Sequence, residues 1–354
     1  MFITYARLQN FKSYLDSSFE FDSGVNIIVG PNASGKTNLL DALYLVATGS
    51  SFKSTKDKAT QINYDKDWSR IDIITSNNQT RTLKIQEQNK PTIEIDKQVY
   101  KRLPFAKKTA VVMFEPNQLY QITTSPDQRR SLLDDIILKI DTSFNKLKND
   151  YTRTLMQRNR LLKQPKHIIK QQIFAWDIRL SELASVYATK RVALIERINQ
   201  TSSDIYSSIA GKKHKFLLSY ESKLPIQNYS SGLLSKLQQN LEIDCLRGYT
   251  GYGPHRDDVL MLINNKDIRN VASRGEARSV LITLKIIELK FLEEVYNQRP
   301  LLLLDDVFGE LDGSRRKSLM EFISENQTFI TTTDADLINH QFANNSQIII
   351  TDKL

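Results

Sequence analysis

The sequence predicts an α/β fold, a mixed sheet flanked by helices with a helical lobe inserted between its parts, and three observations predict it. First, Gly30-Pro31-Asn32-Ala33-Ser34-Gly35-Lys36-Thr37 fits the pattern GxxxxGK[ST] at every fixed position. It stands between a strand-like apolar run, Val25 to Val29, and the helically spaced Asn38 to Leu45. Second, another apolar run, Leu301 to Leu304, ends in Asp305-Asp306 about 270 residues later. Third, apolar residues from Pro126 onward recur every three or four positions over two long stretches, the spacing of packed helices.

At 354 residues, 40% hydrophobic and 25% charged, the chain has the composition of a soluble globular protein with material for one large or two ordinary domains. The expected division is 1–125 for the first part of a nucleotide-binding head, 126–245 for the helical lobe and 246–354 for the rest of the head. A single cysteine, Cys245, excludes an internal disulfide framework and reads as a small core residue in a reducing compartment. The histidines, His167, His214, His255 and His340, have no metal-ligand spacing. No apolar stretch approaches about 18 residues, and Met1 to Arg7 lacks the shape of a signal peptide. The expectation is a cytoplasmic protein with no membrane partner. Net charge is +9, and residues 126–215 hold 18 Lys and Arg against 9 Asp and Glu, which accounts for the whole excess. Such a segment is either a solvated basic surface or the face for an acidic partner.

Taken in order, Ile3 to Leu8 and Ser18 to Phe21 alternate as short strands around the turn-rich Asn10-Phe11-Lys12-Ser13-Tyr14. That turn is either packing or an adenine neighbour. In the phosphate-loop pattern, glycines let backbone amides and the positive helix end converge on an anion. Lys36 then neutralises the β- and γ-phosphates and Thr37 holds Mg²⁺. Gly49 to Lys58 reads as an exposed loop whose Lys53, Lys56 and Lys58 are candidates for a DNA backbone. Strands at Ile71 to Ile74, Thr82 to Ile85 and Thr92 to Ile95 form an antiparallel meander beside the parallel strands. Thr109 to Phe114 is a buried strand, followed by Gln118, which either reaches the Mg²⁺ or the attacking water or starts a helix.

Ser125-Pro126 is a good helix start. Leu133, Ile136, Ile140, Phe144, Leu147, Tyr151 and Leu155 predict one long helix, and Ile173 to Ile198 a second, joined at Gln164 to His167 and packed antiparallel. A strand, Lys215 to Tyr220, and a helix, Leu233 to Leu241, follow. Gly251 to Asp258 is a turn in which Arg256 could pair with either aspartate, and Val259 to Ile263 is a strand. Ser273 and Glu276 have capping-box spacing at the start of the helix Ala277 to Tyr296. The alternative reading is that the Ser273 hydroxyl and Gly275 amide bind the γ-phosphate of nucleotide held by another subunit. In P-loop enzymes an acidic strand such as Leu301 to Asp306 lies beside the phosphate loop, so Asp305 completes the Mg²⁺ shell and Asp306 orients the hydrolytic water.

Together these residues resemble the RecF family, the ATP-binding-cassette-type recombination mediators related to the SMC proteins. The resemblance runs the length of the chain. It includes Asn10 to Tyr14, the phosphate loop with Thr37 to Leu40, Phe114 and Pro116, Gln128-Arg129-Arg130-Ser131-Leu132-Leu133-Asp134, Gly253-Pro254-His255-Arg256-Asp257-Asp258, Ser273 to Glu276, and Asp305-Asp306 with Glu310-Leu311-Asp312. It implies an ABC-type P-loop ATPase head built from two sequence-distant parts around an inserted helical lobe. It further implies ATP and Mg²⁺ as cofactors, ATP-driven homodimerisation, duplex DNA binding by the dimer, and weak, DNA-stimulated hydrolysis that releases it. Action with RecR and RecO in loading RecA at single-stranded gaps follows from the same likeness. Arg274 and Glu276 depart from the Leu-Ser-Gly-Gly-Gln signature of transporters, and Asp306 stands where many wider relatives carry Glu. Thr331-Thr332-Thr333-Asp334 occupies the place of the transporters' switch histidine. A transporter ATPase subunit would carry the transporter signature and no basic arm. A DNA-binding scaffold with vestigial nucleotide sites would hold duplex with or without ATP.

Overall fold

The computed structural model describes residues 2–53, 58–115, 117–333 and 346–351, with the side chains of Lys58 and Glu310 outside the description. The chain begins with β1 (Ile3–Phe11), β2 (Tyr14–Glu20), β3 (Val25–Val29) and α1 (Lys36–Thr48), then β4 (Trp68–Thr75), β5 (Thr80–Gln86), β6 (Thr92–Ile95), β7 (Gln98–Tyr100) and β8 (Val111–Phe114). After these come α2 (Gln118–Thr123), α3 (Pro126–Ile140), α4 (Thr142–Leu161), α5 (Lys166–Ala210), β9 (Phe216–Glu221), α6 (Tyr229–Gln239) and α7 (Leu241–Arg247). The remainder is β10 (Asp258–Ile263), β11 (Lys266–Asp267), α8 (Ile268–Val271), α9 (Arg274–Tyr296), β12 (Leu301–Leu304), α10 (Gly313–Ile323), β13 (Thr328–Thr332) and β14 (Ser346–Ile350). Two compact units result, Met1–Gln118 with Glu288–Leu354, and Leu119–Ile287.

In the first unit the parallel and antiparallel strands, expected in one mixed sheet, form two. Among the described residues, β14-β3-β13-β12-β8 is a parallel sheet and β2-β1-β4-β5-β6-β7 an antiparallel one. The periodicities differ accordingly. Strands β8 and β12 are buried at every residue, whereas β4 and β5 alternate buried and solvated. Helix α1 shares one apolar core with both sheets: Leu39, Leu40, Leu43 and Val46 pack with Ile71, Leu83 and Ile93 and with Ile28, Leu301, Leu303 and Phe329. Gly49 ends the helix in a left-handed conformation at φ 79°. A helix buried on two sides leaves no water for its one acid, Asp41. Lys12 and Ser51 supply the partners, the latter at 2.7 Å. The two sheets are stitched by Gln327, whose amide accepts from the Ile3 amide at 2.7 Å and donates to the carbonyls of Ile3 and Asp22.

The first predicted long helix is two helices, because Asp141 ends α3 and caps α4, its carboxylate accepting from the Ser143 amide at 2.8 Å. Helix α4 then packs against α5. Within this second unit four arginines are buried and bonded to carboxylates, carbonyls or a hydroxyl, although Arg158 Nη2 has no hydrogen-bond partner among the described residues. Arg129 makes a two-pronged pair with Asp258 at 3.0 and 2.7 Å, and Arg130 donates to the Asp257 carbonyl and pairs with Asp127. Arg158 donates to Asp177 at 2.6 Å, Asp244 at 2.7 Å and Thr250 at 2.8 Å. Arg191 holds Asp134 at 2.9 and 3.1 Å and the Pro254 carbonyl at 2.6 Å, and lies over the Tyr187 ring.

The Gly253 to Asp258 run is the hub of this network. A side chain at Gly253, where φ is 128°, would lie 2.9 Å from the Tyr151 hydroxyl. His255 Nε2 faces the Thr250 carbonyl at 3.1 Å, so Nδ1 accepts from Tyr151 at 2.6 Å. Asp257 accepts from Tyr220 at 2.8 Å and Tyr229 at 2.6 Å. Arg256 pairs with neither neighbouring aspartate and stacks on Tyr249 instead, because Asp257 is taken by tyrosines and Asp258 by Arg129. Two of the motifs that carry the family resemblance are therefore halves of one structure: Arg129, Arg130 and Asp134 of the Gln128 to Asp134 run meet residues of, or bound to, the Gly253 to Asp258 run.

Candidate functional site

The C-terminal ends of the parallel strands carry the predicted chemistry on one edge, where open α/β sheets bind ligands. Strand β3 delivers the phosphate loop and β12 delivers Asp305, with β13 between them rather than the acidic strand beside the loop. The sheet still brings the two motifs into contact, since the Thr37 hydroxyl donates to Asp305 Oδ1 at 2.9 Å. The same oxygen accepts from Thr331 on the intervening strand at 2.8 Å, and the Thr331 oxygen accepts the Asp306 amide at 2.9 Å. Asp306 is held in the left-handed region at φ 50°, a strained setting for a non-glycine residue.

The loop itself has the shape its sequence requires. Gly30 could carry no side chain, since a Cβ would meet Thr351 atoms at 2.3 Å and Ser34 Oγ at 2.6 Å. Ala33 has φ 67° and Gly35 φ 88°, so the loop curls through two left-handed positions before α1 begins. Pro31, Asn32 and Ala33 are exposed at its crest, and Ser34, Gly35 and Lys36 are buried at its base. The Lys36 ammonium donates to the carbonyls of Gly30 at 2.8 Å and Pro31 at 2.9 Å, which keeps the cation on the loop. The Asn10 to Tyr14 turn narrows to Lys12-Ser13 and docks on the same element: Tyr14 donates to the Gly35 carbonyl at 3.1 Å and Ser13 accepts from Asn38 at 2.8 Å. Burial pushes the Tyr14 hydroxyl pKa up, so it stays a donor.

These residues fit a magnesium nucleoside triphosphate. A hydroxyl and a carboxylate are the hard oxygen donors Mg²⁺ takes, with room left for water and phosphate oxygens. The glycine loop at a helix N-terminus and its lysine suit the phosphates. Asp306 has its carboxyl pKa raised, by burial first and by Asp305 second, with Lys36 opposing. A raised carboxyl is better matched to proton work near neutral pH.

Other predicted residues fall elsewhere. Gln118 opens α2, and its side chain accepts from the Glu115 amide at 3.3 Å, a helix-start contact. Ser273 and Gly275 belong to the second unit. There Ser273 and Glu276 close a capping box, with Glu276 accepting the Ser273 amide at 2.8 Å and hydroxyl at 2.9 Å, and the Glu276 amide donating to Ser273 Oγ at 3.2 Å. Those bonds hold the Glu276 carboxyl pKa low. Lys53 is exposed. Lys56, Pro116, Asp334 and His340, and the side chains of Lys58 and Glu310, lie outside the described residues. Among the described residues no cluster of His, Cys, Asp and Glu forms a further metal site, and no helix is long and apolar enough to cross a membrane. Asp41 and Thr351 escaped sequence reasoning, and Tyr14, read only as part of a turn that packs or neighbours adenine, holds the phosphate loop instead. Only Asp41, an acid inside an apolar helix, carried a signal.

Comparison with known proteins places this geometry. The family model described as RecF/RecN/SMC N terminal domain matches residues 2–353. The DNA replication and repair protein RecF of Agathobacter rectalis is 34% identical over 349 residues, 95% of this chain and 93% of the relative. That of Clostridium kluyveri is 33% identical over 361 residues, 100% of this chain and 98% of the relative. Among solved structures, the recombination mediator protein RecF-ATP of the RecFOR pathway aligns with a TM-score of 0.80 at 27% identity, over 94% of this chain and 92% of that one. An Smc head bound to the C-winged helix domain of ScpA aligns at 0.54 with 17% identity over 96% of this chain and 91% of that one, a likeness of fold alone. With the family model matched over residues 2–353 and curated relatives 33–34% identical across nearly the whole chain, the chain belongs to the RecF family of the RecF/RecN/SMC proteins.

Proposed function

We propose that this protein is an ATP-dependent DNA-binding protein of recombinational repair: a cytoplasmic ATPase, weak and stimulated by DNA, whose dimer holds duplex at single-strand gaps until hydrolysis releases it. The single observation that carries the reading is the contact between Thr37 and Asp305, which joins a complete phosphate loop to an acidic strand. The solved relatives described as RecF-ATP and RecF-ATPrS in the RecFOR pathway support ATP as the nucleotide and RecR and RecO as partners, while a RecA-type partner follows from the family resemblance alone.

Bound Mg²⁺·ATP would supply the bond to be cleaved and the charge that holds two copies together. The chain's own residues do the rest. Lys36 and the loop from Gly30 to Asn38, through its amides from Asn32 onward, hold the phosphates, Thr37 and Asp305 hold the metal, and Asp306 orients a water, with Gln118 a second candidate for that role. Ser273 and Gly275, at the start of α9, meet the nucleotide held by the other copy. In the free chain Ser273 is engaged with Glu276, so closure exchanges a carboxylate for a phosphate oxygen. The DNA face is the basic lobe. Its buried arginines are neutralised internally, and Arg153, Arg160, Lys163, Lys166 and Lys170 are exposed in a stretch, 151–176, without one acidic residue. Phosphate contacts of this kind are largely independent of sequence.

Sedimentation velocity with a non-hydrolysable ATP analogue and Mg²⁺ tests the reading. Wild-type chain dimerises and then binds duplex, whereas Ser273→Arg binds nucleotide and stays monomeric. A normal dimer of that variant, or equal duplex binding with and without nucleotide, rejects the trans arrangement, and the latter outcome leaves a scaffold with vestigial sites.

A further inference from the structure

The wall behind the phosphate loop is built by a residue far from it in sequence. Strand β14 pairs with β3 in parallel, Ile350 opposite Val29, and the chain then continues one step to Thr351. The Thr351 amide donates to the Val29 carbonyl at 2.8 Å, extending the ladder to the residue just before the loop. The Thr351 hydroxyl donates to the same carbonyl at 3.2 Å. A hydroxyl has one proton, so toward Ser34 Oγ, 2.8 Å away, Thr351 is the acceptor and Ser34 the donor. Both side chains are buried, Thr351 at 5% exposure and Ser34 at 0%. The Thr351 carbonyl and hydroxyl also fill the space a Gly30 side chain would need.

We propose that Thr351 is a positioning residue of the nucleotide site: through Ser34 and the Gly30 backbone it fixes the loop in its phosphate-binding curl before nucleotide arrives. The inference rests on the nucleotide reading above. A loop with Gly30, Gly35 and a left-handed Ala33 has little intrinsic preference for one shape, and each glycine widens the set of conformers it samples. One hydroxyl chain, Ser34 to Thr351 to Val29, removes that freedom. It also spends the Ser34 proton, so the phosphates are left to the loop amides and Lys36. Because the anchor stands on β14, the loop's shape depends on the outermost strand of the parallel sheet.

The test uses the full chain and two readouts: ATP affinity by titration calorimetry in EDTA, and amide hydrogen exchange across residues 30–37 without nucleotide. Thr351→Val keeps the volume and removes the bond; it weakens ATP about 5- to 10-fold and speeds loop exchange by a similar factor. Thr351→Ser, which retains the hydroxyl, stays within about twofold of wild type. Ser34→Ala reproduces the loss from the other side of the bond while leaving β14 untouched. The double variant is no worse than either single one, the signature of one shared interaction. A Thr351→Val chain with lowered melting temperature but unaltered ATP affinity and loop exchange overturns the proposal, as does full additivity. Wild-type chain that holds no ATP overturns the nucleotide reading itself, whereas wild-type binding with an indifferent Thr351→Val overturns only the positioning role.

Discussion

Asp305 and Asp306 are neighbours given opposite tasks by their surroundings. Asp305 is buried and receives two hydroxyls on one oxygen, from Thr37 and Thr331, which fixes it as a ligand. Asp306 is exposed, turned out by a left-handed backbone, yet protein atoms crowded on one side of its carboxyl partly desolvate it, which together with the charge of Asp305 raises its pKa. The charged form of Asp306 is thus disfavoured in the folded chain, so between its unfolded and folded pKa the folded state binds more protons and loses stability as pH rises. Asp306→Asn is expected to cut ATP turnover about 100-fold or more, without lowering the melting temperature at neutral pH. Wild-type turnover should fall on acidification at a less acidic pH than an ordinary carboxylate would give. A thermal melt beside a pH–rate profile measures both. At this scale the sequence is legible where a pattern fixes the spacing, as from Gly30 to Thr37, and silent where a lone hydroxyl acts across the fold. Thr351 sits at the end of an apolar run and nothing nearby marks it.

At the scale of elements, the hub around His255 has a titratable centre. Burial, with help from the charges of Arg256, Arg130 and Arg191, pushes the His255 pKa down to about 4, against a bond to the Thr250 carbonyl that favours the charged form. The ring is neutral in the fold, so stability from this group is present above the unfolded value of about 6.5 and is lost as pH falls toward 4, in total on the order of 3 kcal/mol. Urea unfolding of wild type and His255→Gln at pH 7 and pH 4.5 should show the wild-type advantage shrinking with acid; a constant gap rejects it. Periodicity located most of the strands and helices up to β12 but not β7, α7, β11, α8, α10, β13 or β14, and it ran straight through Asp141, because the steps from Ile136 to Ile140 to Phe144 remain helical across a one-residue cap. The capping aspartate was the available cue. The pairs Arg129 with Asp258 and Arg191 with Asp134 were beyond reach, since each joins residues whose separation follows no local rule.

For the whole molecule, the proposed DNA face makes charge the quantity to test. With the buried arginines matched internally and five basic side chains exposed between Asp150 and Asp177, duplex affinity should fall linearly with salt on a double-logarithmic plot, with a slope of about −0.9 per phosphate contacted. Changing Lys163 and Lys166 together to Gln should flatten that slope by about 2 and weaken all sequences alike. Fluorescence anisotropy over a salt series reads this directly, and an unchanged slope moves the DNA face off this part of the lobe.

The parallel sheet has one further consequence, for synthesis. Its strands come from both flanks of the intervening unit: Val25 on β3 pairs with Thr328 on β13, and Val111 on β8 with Leu301 on β12. A ribosome therefore releases β3, α1 and β8 long before their neighbours exist, while residues 119–287 already hold the partners of their own compact unit. The nascent chain must carry the apolar faces of β3 and α1 uncovered until β12 and β13 emerge. The part that grips nucleotide is the last to become whole.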